Sequence, residues 1–401
     1  MGGFNMDRLA RIKGWMQGYV DTQRYPGCSV LISQGGAEAF YHDCGLRDIA
    51  AGDPWQRDTV ARIYSMTKPI TSVALMILVE RGLVHLDAPV SDFIEGFADT
   101  KCLVEGATEI SQTEPCAPPT LQQLLTHTSG LTYSFNPGLV PVAMAKEKLD
   151  FGPGSRSLAD VAGKLSERPF VFQPGTRWEY SVGIDVIGRV IEVISGKSLE
   201  DFFVDEIFNP LGMNETRFNV PNGTGNRFAA LYTPLDGDGF DLNAKAGGGD
   251  PLRQVDSASV SPFLQTQMHS GGGGLVGTID DYLKFVEMLR TGGKGILSPH
   301  TLRFMMRNHL GCDIASMGPS SFAEQPMKGT GFGIGGSVVL DPGLTGVPSS
   351  VGDFAWGGMA STFFWTDPVH DLSVVFFTQL MPSSSYPSRA QLKALVHGAL
   401  L

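Results

Sequence analysis

Strand-like runs stand at both ends of this chain and helix-like runs fill its middle, an order that narrows the folds open to it. Gly27 to Ser33 and Ala37 to Gly45 are short apolar runs parted by Gln34-Gly35-Gly36, a hairpin signal. Thr59 to Ile63 reads as a third strand. Gly331 to Leu340, Phe354 to Thr366 and Asp371 to Leu380 read as further strands, the last two joined by the turn residues Asp367-Pro368-Val369-His370. Helical patterns open the chain at Leu9, Ile12, Trp15, Met16 and Tyr19, and close it at Arg389 to Leu400. The middle carries helical segments at Leu121 to Leu125, Ser157 to Leu165, Val182 to Ile194 and Leu199 to Ile207, and a long Gly/Asp-rich stretch from Asn222 to Pro251. Loops of that length usually form functional rims or flaps. The simplest architecture is of the α/β plus α class. An antiparallel sheet flanked by helices comes from residues 1–82 and 266–401, and an inserted, mainly helical lobe comes from 83–265. Ligand sites commonly lie in the cleft between such lobes.

Composition removes several function classes. The net charge is -11, so the chain repels nucleic acid and anionic membranes, and neither is expected as a partner. No apolar stretch is long enough to span a bilayer, and the N-terminal segment lacks the uninterrupted apolar core of a secretion signal. The five cysteines are scattered, without C-x-x-C or zinc spacing. Free thiols in a reducing, cytoplasmic setting are the plain reading, with a Cys102–Cys116 bridge as the lesser alternative. No metal or cofactor is expected, and the sequence is compatible with a homo-oligomer.

The chemistry-bearing candidate is Ser65-Met66-Thr67-Lys68, the only S-x-x-K in the chain. The familiar strand–elbow G-x-S-x-G is absent, as are H-E-x-x-H and a phosphate-binding lysine loop. Gly271 to Gly274 lacks the βαβ context of a dinucleotide site and reads as a close backbone approach before a helix starting at Ile279, capped by Thr278. Ile70 to Val79 is apolar almost all round, which marks a buried helix stopping at Gly82. Pro69 belongs in its first turn, where backbone N–H groups lack partners. Positions i and i+3 share a helix face, so the Ser65 hydroxyl can meet the Lys68 amine. Desolvation there disfavours a charged ammonium, and a neutral amine can take a serine proton. The plainer alternative makes Ser65 an N-cap and Lys68 a snorkelling surface residue.

Several blocks in order resemble the serine β-lactamase and penicillin-binding-protein superfamily, in its class C-like branch. They are Ile63 to Ile70, Leu124-Leu125-Thr126-His127-Thr128-Ser129-Gly130-Leu131, Phe172 to Thr176 with Tyr180-Ser181, Pro210 to Met213, and Gly273-Gly274-Leu275 with Thr278 and Asp281-Tyr282. The resemblance implies a nucleophilic Ser65, a proton-accepting Lys68 and, at the family's Y-x-N box, Tyr180 as partner acid/base. Ser181 then reads as the N-cap of the next helix. The family's K-T-G box falls on Trp356-Gly357-Gly358. That match implies substrate contacts from these three residues and an oxyanion hole made by the backbone N–H groups of Ser65 and Met359.

Two departures select a subfamily. The box asparagine is replaced in Tyr180-Ser181-Val182, and the box lysine by Trp356. Charged anchors for a β-lactam are thereby lost, and an aromatic side chain favours an apolar substrate group. The combination looks like the family VIII carboxylesterases. The resulting expectation is an acyl-enzyme hydrolase of small carboxylic esters. Its rivals are acyl transfer, D-amino-acid amide or peptide hydrolysis, weak β-lactam hydrolysis, or a non-catalytic scaffold on the same fold. His127 reads as a structural turn residue and His269 as a loop histidine. Tyr133, Phe135 and Phe332 are candidates for the pocket wall or the core.

Overall fold

A computed structural model describes residues 3–236, 244–246 and 251–401. Helix α1 (Arg11–Asp21) leads into β1 (Gly27–Gln34) and β2 (Ala37–Asp48), joined by Gly35 and Gly36 with φ of +61° and +84°. β3 (Asp53–Pro54) follows. Among the described residues β4 (Ala61–Arg62) pairs only with β5 (Val276–Gly277). The later strands are β6 (Thr330–Phe332), β7 (Ser337–Val339), β8 (Phe354–Gly357), β9 (Phe363–Asp367) and β10 (Leu372–Thr378). One eight-stranded sheet runs β6-β7-β8-β9-β10-β1-β2-β3, and all its pairings are antiparallel. The first strand thus lies beside the last, Cys28 opposite Thr378 and Gln34 opposite Leu372.

Side-chain alternation builds a layer on each face of this sheet. Val30 and Ile32 join α1 (Ile12, Met16) and the C-terminal helix Ser388–His397 (Leu392, Val396). Leu31 and Val375 point the other way, into the main core with Tyr282 and Phe285 of the helix Ile279–Arg290. In the same core lies α2 (Thr67–Glu80), buried at every residue from Thr67 to Leu78. Burial of each of its Leu, Ile, Val and Met side chains is worth ~1.5–3 kcal/mol. α3 (Leu121–Leu125), capped by Thr120, α4 (Leu158–Ser166), capped by Ser157, and α5 (Gly183–Ser195) form much of the helical layer against it.

Several expectations need correction. Gly331 to Leu340 is a hairpin, β6 and β7, because the chain turns at Gly333 to Gly336. Gly335 has φ +85° there, and a Cβ on it would lie 2.2 Å from Ser72 Oγ of α2. Phe354 to Thr366 is likewise two strands, turned between Gly358 and Thr362 with Ser361 at φ +62°. The Thr59 to Ile63 strand shrinks to β4, cut short by a 3₁₀ turn over Tyr64–Met66. The cap position of α5 belongs to Val182, while the Ser181 hydroxyl accepts the Gly183 N–H at 3.3 Å. Inside Asn222 to Pro251, Leu231–Thr233 pairs with Arg253–Asp256; 237–243 and 247–250 lie outside the described residues. All five cysteines are free, and Cys102 Sγ faces Glu114 rather than bridging to Cys116. Among the described residues no helix is long and apolar enough to cross a membrane.

Candidate active site

Ser65 sits in the 3₁₀ turn that feeds α2, directly after Tyr64, whose φ of +41° is unusual for a residue with a side chain. One helical turn on, Lys68 is fully buried. Its Nζ meets three polar partners. Nζ donates to Gly272 O at 2.7 Å, to Tyr133 Oη at 2.9 Å and to Ser65 Oγ at 3.3 Å. It also lies 4.6 Å from the ring centre of Tyr180 and 5.3 Å from that of Tyr133. A snorkelling surface lysine is therefore excluded.

Tyr180 precedes α5 and is buried, with its hydroxyl donating to Ser65 Oγ at 2.6 Å. The ring is packed by Phe322 and His127, both 4.8 Å away, by Tyr133 at 5.1 Å and by Trp356 at 5.6 Å. Rings on that many sides leave the phenol little freedom to swing from Ser65. His127 supports from behind: its Nδ1 accepts the Ser181 N–H at 3.3 Å. Burial, helped by the Lys68 charge, holds its imidazole well below the ordinary range, so it stays neutral.

Trp356 and Gly357 end β8 and Gly358 follows it, beside the nucleophile turn. A Cβ on Gly358 would lie 2.3 Å from the carbonyl oxygen of Ile63, two residues before Ser65. Glycine is thus what lets the strand and the turn touch. Gly358 gives its N–H to Thr362 O at 2.7 Å, whereas the Met359 N–H meets no backbone acceptor among the described residues. Met359 lines the same cavity as Ser65. The Trp356 indole stacks on Phe322 at 6.1 Å and meets Phe332 edge-on at 5.1 Å. Phe332 is accordingly core behind the wall, while Tyr133 and Phe135 face the cavity. His269 stacks on Phe218 at 4.9 Å, away from the cavity lining.

The sequence reading missed a carboxylate. Asp185, three residues into α5, is buried under the site. It accepts the Ser270 hydroxyl at 2.5 Å and the Gly272 N–H at 2.9 Å, and Tyr133 Oη lies 3.5 Å away. A Cβ on Gly272 would lie 2.1 Å from Asp185 Oδ2, which explains a glycine there. The available signal was an acid on a helix otherwise apolar on that face. Tyr133, read as a wall or core residue, proves to be a direct partner of Lys68. Burial pushes its phenol well above the ordinary range, so it remains a neutral donor and acceptor.

The cavity over Ser65 measures about 1130 Å³. Phe135, Phe151, Phe263, Phe322, Trp356 and Met381 are among its walls. This exceeds the roughly 300–1,000 Å³ of ordinary small-molecule sites.

Comparison with known proteins agrees in extent with this architecture. A family model described as Beta-lactamase matches residues 12–398. Protein Rv1367c of Mycobacterium tuberculosis is 35% identical over 360 residues, covering 87% of this chain and 84% of the relative. Esterase EstB of Burkholderia gladioli is 32% identical over 381 residues, covering 92% and 90%. The solved structure of EstCE1, described as a hydrolase with promiscuous acyltransferase activity, superposes with a TM-score of 0.79 at 29% identity, covering 98% of this chain and 99% of its own.

Proposed function

The chain belongs to the beta-lactamase family, and on that premise we propose that it is a serine carboxylesterase of the family VIII type, working through an acyl-enzyme on Ser65. One observation carries the reading: a single hydroxyl, Ser65 Oγ, is within hydrogen-bonding distance of both a buried phenol at 2.6 Å and a buried amine at 3.3 Å. Ser65 attacks the ester carbonyl as its proton leaves through Lys68 and Tyr180. The negative charge that develops on the carbonyl oxygen is met by the N–H groups of Ser65 and Met359. Tyr180 returns the proton to the departing alcohol, and then draws one from the water that releases the acid. Side chains and backbone amides carry every step. The substrate is a small molecule held in the cleft between the lobe of residues 1–82 and 266–401 and the lobe of 83–265. The free thiols and acidic charge support a cytoplasmic setting without nucleic-acid partners.

Esters are favoured over β-lactams and D-amino-acid amides because Val182 and Trp356 occupy positions where the family's anchors would be polar or cationic. Rates on a p-nitrophenyl ester, a chromogenic cephalosporin and a D-amino-acid amide test this directly. The ester should be turned over orders of magnitude faster. A cephalosporin hydrolysed at a comparable rate would shift the assignment to a β-lactamase. A second reading, acyl transfer to an alcohol, is favoured by the cavity volume, which leaves room for an acceptor larger than water beside the acyl-enzyme.

Asp185 acts in this scheme as a positioning residue. Burial, above all, pushes its carboxyl up to about 6, against the opposite pull of Lys68 and of the Ser270 and Gly272 hydrogen bonds. An aspartate in the unfolded chain titrates near ~3.9. Between about pH 4 and 6 the folded chain therefore binds more protons, and the stability linked to this group falls as pH rises through that window. Once ionised, Asp185 is a counter-charge to Lys68 and holds the Ser270–Gly272 loop whose Gly272 carbonyl binds Nζ. Asp185→Asn should lower kcat about tenfold, the equivalent of ~1.4 kcal/mol, with KM nearly unchanged. The acid limb of the kcat profile near pH 6 should disappear with it. A variant that keeps the wild-type pH profile would take Asp185 out of the scheme.

A further inference from the structure

Away from the cleft, β1 and β2 bring two cysteines face to face. Cys28 is directly opposite Cys44 in the antiparallel register, and their sulfurs are 3.8 Å apart. Directly opposed residues of antiparallel strands have Cα atoms about 4.5–5.5 Å apart, inside the roughly 4.4–6.8 Å that a disulfide spans. Closing the sulfurs to bonding distance therefore asks for side-chain rotation and little of the backbone. The two thiols are unequal. Cys28 is fully buried in the layer under α1, whereas Cys44 is half-buried and reachable from solvent. The hydrogen bond from Cys28 lowers the Cys44 thiol below its ordinary value, while burial holds Cys28 well above it. An accessible, more acidic thiol beside a protonated partner is the arrangement of an attacking and a resolving cysteine. The chain supplies its own contrast in Cys102 and Cys116. Burial pushes Cys102 up to about 11 and raises Cys116 as well, so neither thiol is lowered as Cys44 is.

We propose that Cys28 and Cys44 form an oxidisable dithiol whose oxidant is a peroxide, and whose product is a cross-strand disulfide between β1 and β2. The Cys44 thiolate attacks hydrogen peroxide, breaking the O–O bond to give the sulfenic acid and hydroxide. The Cys28 sulfur then displaces the sulfenic oxygen, losing its own proton, and water leaves. Two thiols lose two electrons and two protons, and one peroxide becomes two waters. The bond ties the hairpin shut and restricts the unfolded chain, so the oxidised form resists unfolding. Neither cysteine lines the cavity, so ester hydrolysis should be unaffected.

The test uses the full-length reduced protein, treated with stoichiometric hydrogen peroxide, alkylated, and examined by intact mass and peptide mapping. The expected result is the loss of two hydrogens, two fewer alkylated thiols, a Cys28–Cys44 linked peptide, and a higher thermal midpoint that dithiothreitol reverses. Cys44→Ser, at the half-buried position, should abolish all four changes, and Cys102→Ser should keep them. A linkage that maps to Cys102 and Cys116, oxidation that halts at a sulfinic acid on Cys44, or a rise in midpoint that survives in Cys44→Ser would each overturn the proposal.

Discussion

Ser65→Ala should lower kcat/KM for a p-nitrophenyl ester by at least about 10,000-fold, in line with removal of the nucleophile from other serine hydrolases. The size follows from what remains. Tyr180 and Lys68 would still face the cavity, but the oxygen that both contact at 2.6 and 3.3 Å would be gone. No other hydroxyl shares that pair of partners among the described residues. Removal of one small oxygen from a half-buried position leaves the packing of α2 intact, so the variant should unfold at nearly the wild-type temperature. It should also fail to gain the mass of a fluorophosphonate probe that labels the parent. Activity near the wild-type rate in a contaminant-free preparation would remove the acyl-enzyme scheme altogether.

Tyr180→Phe should reduce kcat by about 100- to 10,000-fold while KM changes little, the range typical for loss of a general acid/base. The phenylalanine ring can occupy the same space between His127, Phe322 and Trp356, so the cavity keeps its shape. What goes is the one oxygen positioned to pass a proton between Ser65 and the leaving alcohol. Lys68 stays in place, held by Gly272 O and Tyr133 Oη, and accounts for the residual rate. Steady-state kinetics with matched aryl and alkyl esters separate the two roles. An aryl leaving group needs little protonation, so its loss of rate should be smaller. Equal losses on both would mean that Tyr180 orients Ser65 rather than transfers protons.

How much was readable beforehand depended on whether a contact is local. Ser65 and Lys68 lie one helical turn apart, and the all-apolar helix after them forces the lysine inward, so their meeting follows from spacing alone. The hairpin of β1 and β2 was equally plain, because its turn residues carry the conformation. The antiparallel sheet and its helical flanks followed from the order of patterns. The β6–β7 turn was missed although Gly333, Gly335 and Gly336 mark it locally, whereas the close approach of Ser72 to Gly335 is a tertiary contact that spacing does not reveal. The same holds for Asp185 and Tyr133. Each looks ordinary within its own segment, and only the fold gathers both under the Lys68 amine.

The pairing of β1 with β10 has a consequence for synthesis. Residues 27–34 leave the ribosome early, yet their central neighbour is residues 372–378. The middle of the sheet must therefore wait until the later strand has been made, with an apolar strand edge bare in the interval. Chaperone dependence and inclusion-body formation should accordingly track the time taken to translate the stretch between those strands.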